Sequence, residues 1–141
     1  MRPEVILLLL ITAFLWGTTP VLEKIGLGST DPLTGVAIRS IAVTVALVIY
    51  LVLAGKARQV FQVDFKTWVI FSVTGLMAGL LGMLTYFIAL KRGATSQIVP
   101  IAATYPLVTA ILSVLILGEH VTFLRLIGTI LIIAGIWFVR S

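Results

Sequence analysis

At 141 residues, 60% hydrophobic and 11% charged, with a mean hydropathy of +1.22, the chain is too apolar for a soluble domain of its length. About 20 residues per bilayer crossing leave room for about five transmembrane helices and none for a separate soluble domain. The formal charge of +5 comes from Lys and Arg scattered between apolar spans, which suits interfacial anchors and excludes a nucleic-acid-binding stripe.

The first span is expected over residues 5–22. Arg2 before the run Val5 to Leu15 resembles a secretory leader, but Trp16-Gly17-Thr18-Thr19-Pro20 is a poor cleavage site and further spans follow, so the segment reads as a retained helix. Pro20 kinks its second half and frees backbone groups for a ligand. Glu23 and Lys24 then fall at the interface, and Gly26, Gly28, Ser29, Asp31 and Pro32 make a turn. The second span, 33–53, contains Arg39 about 10 Å from its start at ~1.5 Å per residue. Two readings of Arg39 stand: a side chain snorkelling to the headgroups, or one facing the protein interior. From Ala54 to Thr67, Lys56, Arg58 and Lys66 interleave with Val60, Phe61, Val63 and Phe65, a loop suited to the membrane surface.

The third span, 68–90, carries Gly75 and Gly79 at the small-xxx-small spacing that lets helices approach, with Gly82 on a neighbouring turn. Tyr86 lies beyond them, and Lys91 and Arg92 close the span. The fourth, 97–117, lies in a stretch from Ala94 to Val121 that combines an apolar run with Pro100, Pro106, Thr104 and Tyr105. Each proline removes a backbone donor, so a carbonyl one turn earlier needs a Thr or Ser hydroxyl, water or another helix. That pattern suits a helix lining a polar cavity, although Pro and Gly are also ordinary in membrane helices. Gly118-Glu119 ends the stretch as a structural turn, with Glu119 accepting backbone N–H bonds or pairing with Arg125. In the fifth span, 122–139, Gly128 and Gly135 share one face, a seat for a helix of the same chain or of a second copy.

Five crossings put Arg2, Lys56, Arg58, Lys66 and Arg125 on one side and Lys24, Lys91, Arg92 and Arg140 on the other, joined by Arg39 if it snorkels. So small an excess gives either a weak preference for the N-terminus inside or insertion both ways up, a dual topology. No catalytic constellation is visible, so no enzyme is expected. His120 has no plausible companion ligand, cysteine is absent, and the acids map to ends and loops, so neither metal nor cofactor is implied. The groups left to recognise a solute are Trp16, Thr18, Thr19, Tyr86, Thr104 and Tyr105, with Arg39 favouring an anionic group if it points inward.

In order, Leu15-Trp16-Gly17-Thr18-Thr19-Pro20 with Lys24, Ala37-Ile38-Arg39, Tyr86 to Lys91, Tyr105-Pro106-Leu107 through Gly118-Glu119, and Ile127-Gly128 to Gly135 resemble the drug/metabolite transporter superfamily. The resemblance covers nearly the whole chain and is to a single EamA-type domain, 1–141, of the bacterial/archaeal five-helix kind. It implies an all-α membrane protein whose five helices form one repeat. Most members carry two such domains in inverted orientation, about ten helices with substrate between them. An antiparallel homodimer completes that arrangement.

The implied function is transport of small organic metabolites, preferably neutral or zwitterionic, by alternating access in a multi-pass protein of the cell inner membrane, with lipids and solute as partners. Alternatives are a small-multidrug-resistance-like exporter, which wants a central carboxylate in the first helix, and a non-transporting subunit such as a lipid-carrier flippase partner.

Overall fold

A computed structural model describes residues 2–120 and 122–139, and the backbone but not the side chain of Arg125. Arg140 and the Arg125 side chain, both used in the charge count, and Val121 therefore lie outside the described residues. Helix α1 spans Pro3–Leu27 and α2 spans Pro32–Leu53. A short 3-10 helix, Ala57–Phe61, leads to a continuous helical rod made of α3 (Phe65–Thr74), a π-helical segment (Gly75–Gly82) and α4 (Met83–Arg92). Helices α5 (Thr95–Ala102), α6 (Tyr105–Leu117) and α7 (Phe123–Val139) follow. Among the described residues four stretches are long and apolar enough to cross a membrane: Pro3–Leu27, Pro32–Leu53, Phe65–Arg92 and Thr95–Leu117. Helix α7, at 17 residues, is a short fifth. Among the described residues the regular structure is all helical, and the protein is an all-α, multi-pass membrane protein.

The chain divides into two compact units, Met1–Lys91 and Arg92–Ser141. In the first, α1 begins with Pro3 at its first turn, where the missing N–H removes no helical bond. Pro20 lies inside α1, and the Thr19 hydroxyl donates to the Trp16 carbonyl at 3.0 Å, the acceptor that a residue-20 N–H would have used. With that carbonyl satisfied, the helix passes through the proline and continues to Leu27. This corrects the placing of Glu23, Lys24 and Gly26 beyond the first helix: all three are inside it, and the turn is confined to Gly28–Thr30. Asp31 then caps α2, its carboxylate accepting from the N–H groups of Leu33 (3.0 Å) and Thr34 (3.2 Å).

Helix α2 ends in a Schellman turn: Gly55 takes φ +67°, and Lys56 N–H donates back to Leu51 O at 2.9 Å. Asp64 caps α3 through Thr67, and Trp68 Nε1 donates to Val60 O at 3.1 Å, tying the loop to the rod. A Cβ at Gly82 would stand 3.1 Å from Met77 O, five residues upstream, so the wide turn itself favours glycine there. The buried side chains of this unit are Pro20 within α1 and a cluster of Leu27, Val36, Phe87 and Leu90, drawn from the end of α1, the start of α2 and α4.

The second unit differs from the single fourth helix expected from the sequence. Ala103 and Thr104 form a turn, so the span is two helices, α5 and α6. The physical reason is Pro106, which sits in the first turn of α6 and has no N–H to give Ala102. One residue earlier, the Thr104 N–H and hydroxyl both donate to Ile101 O, at 3.2 and 2.9 Å, and tighten the chain into a turn. Helix α5 packs against α7. Helix α6 ends at Gly118, whose φ of +65° and ψ of 24° suit glycine, and Glu119 N–H donates to Ser113 O at 3.2 Å.

Candidate functional site

The first unit closes at one end through charged side chains laid on backbone carbonyls. Lys24 Nζ on α1 donates to the carbonyls of Leu90 and Lys91 at the end of α4, and Lys91 Nζ returns to Thr30 O at 2.7 Å in the α1–α2 turn. Ammonium groups at a helix C-terminus meet carbonyls with no intrahelical donor and the negative end of the helix dipole. Helix α2 approaches closely because Gly35 has no side chain: a Cβ there would stand 3.2 Å from the Phe87 ring and 3.4 Å from Leu27.

Beside this closure lies a pocket of about 400 Å³ lined by α1, α2 and α4. Its walls include Leu22, Leu27, Ile38 and Phe87, and its polar groups are Thr19, Glu23, Thr30 and Arg39. Arg39 Nε stands 3.7 Å from Glu23 Oε1, with the carboxylate side chain only 14% exposed and the guanidinium side chain 46% exposed. Of the two readings of Arg39, the pair supports the inward one: the side chain meets a carboxylate on the neighbouring helix. A lone charge in a membrane span is costly, and an opposite partner lowers that cost.

The residues expected to touch solute are distributed unevenly. Thr19 and Arg39 line the pocket. Tyr86 is half-buried, its ring 6.3 Å from that of Phe87, and its phenol lies within electrostatic reach of Glu23. Trp16 is exposed, and Thr18, also exposed, spends its hydroxyl proton on Leu15 O. Neither lines the pocket. Thr104 and Tyr105 belong to the second unit, where Pro100 lies inside α5 and Pro106 opens α6. Among the described residues, and apart from each helix's own neighbouring backbone, nothing of the first unit lies within 4 Å of a Cβ at Gly75 or Gly79, and nothing of the second within 4 Å of one at Gly128 or Gly135.

Glu23, Gly35, Ile38 and Phe87 escaped the sequence reading as site residues. The signal was there in the spacing: Thr19, Glu23 and Gly26 recur at i, i+4 and i+7, and Gly35 and Arg39 at i and i+4, each set a single helix face. Among the described residues no group of three His, Cys, Asp or Glu gathers to hold a metal ion.

The whole run from α1 to α7 also matches a known family, the EamA-like transporter family, over residues 4–141. The chain belongs to that family. It is 26% identical over 134 residues to a protein of Archaeoglobus fulgidus named an uncharacterized transporter, covering 95% of this chain and 47% of that one. It is 30% identical over 92 residues to an uncharacterized protein of Methanocaldococcus jannaschii, covering 65% of this chain and 66% of that one. The chain thus spans about half the length of the archaeal transporter it matches. No solved structure matches it. Membership accords with the expectation of a transporter rather than an enzyme, since the family is one of transporters.

Proposed function

We propose that residues 1–141 act as one EamA-type repeat of a transporter for small organic metabolites, working by alternating access in the cell inner membrane. The observation that carries this reading is the Glu23–Arg39 pair in a pocket bounded by three apolar helices. Ionisable groups in membrane spans mark solute or ion pathways by default. The pocket's formal charges cancel, which suits a neutral or zwitterionic solute. A second copy inserted the other way up supplies the inverted repeat, and the open faces at Gly128 and Gly135 are where it seats.

Purified protein reconstituted in proteoliposomes and screened with radiolabelled amino acids, nucleosides, sugars and organic cations, with and without a pH gradient, tests the transport reading. Accumulation of at least one neutral or zwitterionic solute above protein-free vesicles is expected, and no uptake in any class would overturn it. The assembly is tested separately by light scattering in detergent. Gly128→Leu and Gly135→Leu should convert dimer to monomer, whereas unchanged association would count against this seam. A C-terminal reporter active on one side only tests dual insertion, and signal from a single orientation would sink it.

A further inference from the structure

The pocket is more specific than a neutral cavity. It offers one carboxylate and one guanidinium side by side against an apolar wall, and their mutual contact is loose. The contact of 3.7 Å runs through Nε and Oε1, well beyond the ~2.7–2.9 Å of a charge-assisted hydrogen bond. Such a geometry uses little of either group. A guanidinium carries five N–H donors and a carboxylate two acceptor oxygens, so the two Nη groups of Arg39 and Oε2 of Glu23 remain for a ligand. Among the described residues the charged atoms of both side chains meet only each other.

We infer that Glu23 and Arg39 form a clamp for the α-ammonium and α-carboxylate of an apolar amino acid, whose side chain rests on Leu22, Ile38 and Phe87. The inference rests on the reading that the chain handles a small organic solute, and it names that solute's class and its two charged contacts. A lone anion would satisfy Arg39 while setting a second negative charge beside Glu23. A lone cation would do the reverse. Only a ligand carrying both charges a few ångströms apart strengthens both sides of the pair without leaving net charge in the span. The apolar remainder fits the rest of the lining, since Leu22, Leu27, Ile38 and Phe87 offer no polar side-chain atom. Thr19 is already turned to the Trp16 carbonyl and has only acceptor capacity left for a ligand.

The test is binding rather than transport, by calorimetry on purified protein in detergent at pH 6.5. The probes are L-leucine, L-leucinamide, which lacks the carboxylate, and 4-methylpentanoate, which lacks the ammonium. Wild-type protein should bind leucine about ten-fold or more tighter than either analogue, the loss expected for one charged hydrogen-bonding partner. E23Q should level leucine with 4-methylpentanoate, and R39Q should level leucine with leucinamide. A wild type that ranks the three probes equally, or folded variants that keep the full discrimination, overturns the clamp. If a variant fails to fold, the analogue series on wild-type protein decides alone. Failure to bind leucine while proteoliposomes accumulate another class sinks the clamp and leaves transport standing. Leucine binding without uptake of any solute does the opposite.

Discussion

Met1–Lys91 and Arg92–Ser141 are built from the same apolar helices, yet they hold their own elements together by different means. The first has a small set of buried side chains at one end, a glycine contact between helices, ammonium groups on helix-end carbonyls and two carboxylate caps. In the second no described side chain is buried, the N-caps Ala94 and Thr104 make no side-chain cap bond, and the bonds recorded in its turns are short-range. In a bilayer, apolar exposure costs nothing by itself because lipid replaces water, so helices associate through close packing and polar ties. The first unit carries both. The second offers faces for such contacts, at Gly128 and Gly135, and its helices α5 and α6 begin without a side-chain cap.

The sharpest way to break this contrast is to fill the glycines. Gly35→Leu should destabilise the first unit by about 3 kcal/mol, because the new Cβ meets the Phe87 ring at 3.2 Å before the rest of the side chain is placed. Thermal unfolding in detergent reads it, and Gly35→Ala should cost far less, since a ring can give by a few tenths of an ångström. Gly128→Leu, whose Cβ meets no described side chain of its own unit within 4 Å, should leave monomer stability within about 0.5 kcal/mol and act on association alone. Equal damage from the two leucines would erase the distinction.

The polar ties come next. Lys24→Met keeps much of the apolar stem and removes the donors to Leu90 O and Lys91 O, which should cost about 1–2 kcal/mol. Hydrogen exchange should speed up over residues 87–92 with little change in α7. In the second unit the comparable weak point is backbone strain at the α6 end. Gly118→Ala forces a Cβ into φ +65° and should cost about 1 kcal/mol, with Gly118→Asn milder; an Ala variant as stable as wild type would mean the turn relaxes.

Much of the fold could be read from the sequence because bilayer crossing imposes length and hydropathy on each span, and turn residues such as Gly55, Asp31 and Asp64 mark the breaks. The site was less legible. The sequence predicts a first helix that stops at residue 22, just past a kink at Pro20, whereas the Thr19 hydroxyl satisfies Trp16 O and the helix runs on to Leu27, bringing Glu23 opposite Arg39. Aromatic and hydroxyl side chains drew attention for their chemistry, yet Thr18 directs its proton to a carbonyl of its own helix and Thr104 to Ile101 O across the turn before α6. Gly35, the small residue beside the pocket, shares a face of α2 with Arg39, but nothing in that helix shows why it must be small. Its partners Phe87 and Leu27 come from elsewhere in the chain.

The smallest effect separates the units by pH. Asp64 accepts from Thr67 Oγ1 at 2.6 Å and from Thr67 N–H at 3.0 Å, and these bonds hold its carboxyl below the usual aspartate range. A carboxylate depressed in the folded state contributes stability above its unfolded pKa, about 3.9. That contribution is lost as pH falls through the lower folded value. Protonation removes the negative charge from the positive end of α3 and weakens the cap. Amides at the start of α3 should therefore exchange faster below pH ~4, measured after correction for intrinsic rates, while those at the start of α5, capped by Ala94, should not respond. Asp64→Asn keeps a capping oxygen that does not titrate, so it should flatten the pH dependence at α3. If α3 and α5 loosen together in acid, or if the Asn variant responds as wild type does, the acid effect arises elsewhere and the carboxylate cap does not distinguish the two units.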